Sequence, residues 1–149
     1  MQNVIVRRAT AHDADRLTAV VRSSGAYRGE YAAMVVDHRV TAEYTARHEV
    51  FAAVDADDRI LGFYSLVLEP AELDLAFVTD EAQGLGIGRL LIDHMLVRAR
   101  AAGAGRVRVV SHPPSEAFYR RLGAERTGTV PAAPPTVTWA RPELHFRTT

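Results

Sequence analysis

Glu72-Leu-Asp-Leu-Ala-Phe-Val-Thr-Asp-Glu-Ala-Gln-Gly-Leu-Gly-Ile-Gly-Arg89 is the stretch on which the fold of this chain turns. It opens as an alternating strand, with Leu73, Leu75 and Phe77 set against Glu72, Asp74 and Ala76. A short acidic turn and a glycine cluster follow. A helix then runs over about 86 to 102, placing Ile87, Leu91, Met95 and Ala99 on one face and Arg89, Asp93 and Arg100 on the other. Glycines at 84, 86 and 88 leave no side chains between the unpaired N–H groups of the helix start and an anion, and the helix dipole adds positive charge there.

The cluster has three readings: a dinucleotide fingerprint, a structural strand-to-helix turn, or a pyrophosphate cradle of another kind. A dinucleotide site needs Gly-x-Gly-x-x-Gly and an acidic residue closing the next strand. Here the glycines alternate and the next strand, 106 to 111, ends in Ser111. A structural turn explains one glycine but not three, whose entropic cost would be needless. The cradle is the favoured reading. Strand, helix and strand between 72 and 111 make a βαβ unit, so the two strands are expected to be parallel neighbours.

Upstream, residues 3 to 8 form a first strand, and Thr10 with Asp13 caps a helix through about 23 whose inner side carries Ala14, Leu17, Val20 and Val21. After an irregular segment at 23 to 31, the spacing of Val40, Tyr44 and His48 predicts a helix over 37 to 48, with Thr41 as an internal cap. Strands at 50 to 55 and 60 to 68 form a hairpin through Ala-Asp-Asp-Arg. Downstream come a short helix at 115 to 122, a strand at 125 to 129, a proline-rich connection, and a last strand at 136 to 146 interrupted by Pro142.

Composition narrows the chemistry. The 149 residues suit one domain, 1–149, and 18 basic residues balance 18 acidic ones, so nothing draws the chain to nucleic acid or an anionic membrane. Every basic residue of those 18 is arginine, which excludes a P-loop lysine and a Schiff-base lysine. The absence of cysteine excludes disulfides, thiolate metal sites and a thiol nucleophile, and suits the cytoplasm. No segment reads as a signal peptide or a membrane span, and no metal-ligand spacing occurs. His48 and His94 fall within helical patterns and read as structural.

Gln83-Gly84-Leu85-Gly86-Ile87-Gly88 matches the Gln/Arg-x-x-Gly-x-Gly/Ala acetyl-CoA motif of the GCN5-related N-acetyltransferase (GNAT) superfamily. The resemblance extends through the preceding strand, the long helix, the next strand and Phe118-Tyr119-Arg120-Arg121-Leu122-Gly123-Ala124, which is similar to the family's Phe-Tyr-x-x-x-Gly-Phe segment. It implies an α/β (α+β) GNAT-type fold: a mixed central sheet of about seven strands with a splayed parallel pair and helices on both faces. By the same resemblance, Gly84, Leu85, Gly86, Ile87, Gly88 and Arg89 are expected to hold the pyrophosphate of coenzyme A, with Gln83 also cofactor-binding, and main-chain groups of Ala76, Phe77 and Val78 its pantetheine arm. Members often carry an asparagine after the strand ending at 111; here His112 or Ser115 would make that contact.

Tyr119 matches the tyrosine that protonates the departing thiolate in many members; the alternative is a core aromatic beside Phe118. Glu72, eleven residues before Gln83, stands at the offset of the catalytic glutamate of histone-type members. It is either the general base or a solvent-facing charge that attracts a cationic substrate. Asp74 is the runner-up, or the pair binds an ammonium group. Tyr27, Tyr31, His38 and Tyr44 upstream, and Trp139, Arg141, Glu143 and His145 downstream, are candidates for the acceptor side.

The expected function is transfer of an acetyl group from acetyl-CoA to a primary amine of a small molecule or peptide, directly in a ternary complex. The alternatives are a non-catalytic acyl-CoA-binding sensor and a nucleotide-binding regulator. Exposed sheet edges are compatible with a homodimer.

Overall fold

The computed structural model describes the chain except residues 1, 2, 26, 28–30, 33, 34, 36, 37 and 136. β2 (Glu49–Val54) and β3 (Ile60–Val67) are almost continuously apolar because both of their faces are covered. Side chains alternate along a strand. Phe51, Ala53, Tyr64 and Leu66 therefore enter one core, and Val50, Ala52, Val54 and Phe63 another on the opposite face. The first core is closed by α3 (Ile87–Ala101), which buries Ile87, Leu91, Met95 and Ala99, and the second by α1 (Ala14–Arg22), which buries Leu17, Val20 and Val21.

With β1 (Ile5–Arg8), β4 (Glu72–Val78), β5 (Arg106–Val110), β6 (Glu125–Val130) and β7 (Arg141–Arg147), these strands form a seven-stranded sheet in the order β1-β2-β3-β4-β5-β7-β6. Only β4 and β5 run parallel; the other neighbours are antiparallel. The expected mixed sheet, with its parallel pair joined by α3 and helices on both faces, is what forms.

The 3₁₀ turn Ala11–Asp13 that leads into α1 carries a capping box: Thr10 N donates to Asp13 Oδ2 at 2.8 Å. Arg7 (2.9 Å) and Arg16 (2.5 Å) also donate to this nearly inaccessible carboxylate. The bond from Arg7 is the largest influence holding Asp13 well below the usual carboxylate range.

Three expectations need correction. The helix read over 37 to 48 is only α2 (Ala42–Arg47), because Thr41 is its N-cap, accepting from Tyr44 N at 3.0 Å, and His48 is already extended; Asp37 lies outside the described residues. The last strand, expected over 136 to 146, is Arg141–Arg147; Thr136 lies outside the described residues. The chain before it folds back through an Ala133–Val137 bridge, which leaves Trp139 on a bend. Pro142 sits within β7, next to its first residue, where a missing N–H is tolerated, and its carbonyl accepts from Ser111 N at 3.0 Å.

The third correction bears on the site. Ser65 pairs with Leu75 but the adjacent Leu66 pairs with Leu73, so Asp74 is an extra residue, a β-bulge. The bulge breaks the alternation read from the sequence: Leu73 enters the α3-side core, while Leu75 and Phe77 pack on the α1 side. No helix among the described residues is long and apolar enough to cross a membrane.

Candidate active site

Parallel pairing of β4 and β5 is confined to Glu72–Arg108 and Leu73–Val109. Beyond Leu73, where the bulge bends β4, the strands diverge. Thr79 N donates to Leu61 O at 2.8 Å, across the β3 side. By the two-residue period of a strand, the main-chain groups of Ala76 and Val78 then face the gap. Val78 O accepts there from Gln83 Nε2 at 3.2 Å, so the Gln83 side chain caps the exposed strand edge.

A groove of about 500 Å³ follows this free edge from the splay to the start of α3. It brings together the predicted Ala76, Phe77, Val78, Gln83, Gly84, Gly86, Ile87, Gly88, Arg89, Ser115 and Tyr119. Gly84 and Gly86 turn the chain at φ of 79° and 80°, a left-handed conformation that a side chain would strain. Gly88 has a different reason: a Cβ there would meet the Phe118 ring at 2.9 Å. The first intrahelical bond is from Leu90 N to Gly86 O, so the amides of Ile87, Gly88 and Arg89 precede it. No acidic residue stands in the first turn to neutralise them, which makes the helix start fit a pyrophosphate. Leu85 is half-exposed and does not line the groove, and the Arg89 side chain reaches out toward Asp93 at 4.0 Å.

A second cavity, of about 240 Å³, opens on the α1 side of the same splay. Glu72, Asp74, His38, His112 and Arg141 contribute its polar lining. Tyr27, Ala76, Phe77 and Tyr119 line both spaces, so the groove and the cavity meet at these four residues. Tyr119, on α4 (Glu116–Arg121), is buried, and burial pushes its phenol well above the usual range, which keeps the proton on oxygen. Burial likewise raises Tyr27 to about 12; its ring stacks on buried His112 at 4.0 Å. His112 thus lines the cavity rather than the groove.

The two carboxylates differ. Glu72 Oε1 accepts from Arg108 at 3.0 Å, and Arg108 also donates to Glu143 Oε2 at 2.5 Å. Glu72 therefore lies where β4 and β5 still touch, about 13 Å along the strand from Ala76 at about 3.3 Å per residue. Asp74, on the bulge, is half that distance away and accepts from the Tyr44 hydroxyl, which also shares a 2.6 Å bond with Ser65 Oγ. Burial, first, and that bond raise Tyr44 well above the usual phenol range. Tyr31 and Trp139 line neither space but pack edge to face at 4.8 Å, with Tyr31 against His112 at 5.7 Å.

Two residues of the site have no role in the sequence reading: Phe118, although it is noted beside Tyr119, and Arg108. Phe118 fills the space that Gly88 leaves open, and Arg108 holds Glu72. The signal for Arg108 was present: it is a charge inside an apolar strand expected to run parallel to 72 to 78. His94, read as structural, bonds through Nδ1 to the Tyr64 hydroxyl at 2.8 Å on the far side of the sheet.

Comparison with known proteins agrees with this geometry. The family model described as an acetyltransferase (GNAT) domain matches residues 13–131. The peptidyl-lysine N-acetyltransferase YjaB of Salmonella typhimurium is 27% identical over 134 residues, covering 83% of this chain and 84% of that protein. The PaiA N-acetyltransferase of Thermoplasma acidophilum, solved in complex with coenzyme A, shares the fold at a TM-score of 0.77 and 18% identity, with 98% of this chain and 99% of that one covered. An N-acetyltransferase from Staphylococcus aureus Mu50 does so at 0.77 and 16%, with 99% and 100% covered. The chain belongs to the GNAT acetyltransferase family and is an acetyl-CoA-dependent N-acetyltransferase.

Proposed function

We propose that the chain transfers an acetyl group from acetyl-CoA to a primary amine of a small molecule or peptide, directly and without an acetyl-enzyme. The observation that carries this reading is the meeting of groove and cavity at Tyr27, Ala76, Phe77 and Tyr119. When bound, acetyl-CoA supplies the activated thioester; the pyrophosphate would lie on the amides of residues 84 to 89 and the pantetheine along Ala76 and Val78. The acceptor amine would enter from the smaller cavity.

In the reaction the amine nitrogen forms a bond to the acetyl carbon, the carbon–sulfur bond breaks, one amine proton leaves, and the thiolate takes a proton. The buried, protonated Tyr119 is the candidate acid for the thiolate. Backbone N–H at Ala76 is the candidate donor to the carbonyl oxygen as charge develops. Asp74, nearer to Ala76 than Glu72 and in no ion pair among the described residues, is the candidate to receive the ammonium and pass on its proton, directly or through water. Glu72 is assigned instead to the Arg108–Glu143 charge cluster, which keeps the cavity acidic. The name of the Salmonella relative supports an amine acceptor, and a peptide lysine is one such acceptor.

An amine panel with acetyl-CoA, read by thiol release and by the mass of the acceptor, tests the reading. Acetylated product is expected. Tight coenzyme A binding with no acetylation of any amine would favour the sensor alternative.

A further inference from the structure

Arg141 is the first residue of β7 and lines the smaller cavity together with Asp74 and Glu72. Its Nε is buried and has no hydrogen-bond partner, and its guanidinium forms no ion pair among the described residues. The contrast with Arg108 is sharp, since that side chain is satisfied by two carboxylates on the same sheet. A buried N–H without an acceptor is costly unless something supplies the missing oxygen atom. Trp139, two residues earlier, carries a second buried donor without a partner, Nε1. Its ring meets Tyr31, and Tyr31 meets His112 on the cavity wall. The orphan Arg141 Nε thus lies on one side of the cavity, with Trp139 packed behind its wall through Tyr31 and His112, and the Asp74 carboxylate lies on β4 across the splay.

Donors on one side and a carboxylate on the other suit a ligand that carries both charges. A planar guanidinium pairs with a carboxylate through two parallel hydrogen bonds. A multiply charged anion such as phosphate is disfavoured, because Asp74 and Glu72 share the cavity. The volume of about 240 Å³ lies below the usual range for drug-sized ligands and suits a small molecule. We propose that the acceptor is a small amine bearing a carboxylate, a free amino acid or close analogue, with Arg141 holding its carboxylate. An internal lysine of a protein chain has no such group beside its amine. This inference rests on the reading of the smaller cavity as the acceptor side.

The test uses matched sets of amino acid, amino-acid amide and decarboxylated amine with small, aromatic and cationic side chains. Acids are expected to exceed amides by at least about tenfold in kcat/KM, although the amide's amine loses its proton more readily. Arg141→Gln should raise KM for the acid by about 10- to 100-fold and bring the acid-to-amide ratio near one. Arg141→Lys should retain part of the ratio. An unchanged Kd for coenzyme A establishes that each variant is folded. Amides acetylated as well as acids by the wild type, or a ratio that survives Arg141→Gln, would overturn the inference and leave the acetyltransferase reading standing. Acetyl-CoA bound but no member of any set acetylated would overturn the inference, and only the same outcome with peptide amines would remove the acetyltransferase reading as well.

Discussion

Asp74 is the extra residue of the β4 bulge, and its carboxylate lines the smaller cavity beside the splay. Glu72 has a partner in Arg108 and sits at the closed end of the splay. The two should therefore separate on mutation: Asp74→Asn should lower kcat/KM by about 10²-fold or more, and Glu72→Gln by less than about tenfold. The reverse order would restore Glu72 as the base. Tyr119→Phe removes the candidate acid without emptying its site. It should reduce kcat by about 10²- to 10⁴-fold with little change in coenzyme A affinity, and an undiminished kcat would remove Tyr119 from the mechanism. These candidates were legible in the sequence, but the difference between their surroundings was not. A one-residue bulge leaves no mark in an apolar–polar pattern, so Leu73, Leu75 and Phe77 read as one face when two faces are used.

At the scale of the element, the start of α3 unites two demands on the same glycines. Gly84 and Gly86 satisfy the backbone, whereas Gly88 makes room for Phe118 and so ties α3 to α4. Gly86→Glu would strain a left-handed residue and put a negative charge at the helix start. Calorimetry should show at least about 10²-fold weaker coenzyme A binding in a folded protein, and retained affinity would move the cradle elsewhere. The long helix and its flanking strands were readable because pattern and punctuation agree there. Elements around them were less so. The spacing of Val40, Tyr44 and His48 mimics a longer helix than the one Thr41 starts, and the residues before Arg141 have strand-like composition but fold back through the Ala133–Val137 bridge.

At the scale of the molecule, two cores on opposite faces of one sheet hold the splay open, and Asp13 fastens α1 to β1 through Arg7 and Arg16. Its depressed pKa means that this stabilisation is present above the unfolded value, about 3.9, and is lost as pH falls below it. Asp13→Asn should cost about 1–3 kcal/mol at neutral pH and flatten the loss of stability between about pH 4 and pH 2, as followed by thermal melts. An equally steep acid limb in the variant would move that dependence to another carboxylate. The sheet order was not derivable from strand patterns, because β7 inserts between β5 and β6 after a connection with no periodic signal; the family resemblance implied the mixed sheet and its splayed parallel pair. In the proposed function this architecture brings two spaces to one point, so that thioester and amine would meet without a covalent relay. Initial rates of thiol release with both substrates varied test that most directly: intersecting lines and release that requires the amine are predicted. Parallel lines, with a burst of thiol before any amine is added, would mean an acetyl-enzyme and contradict it.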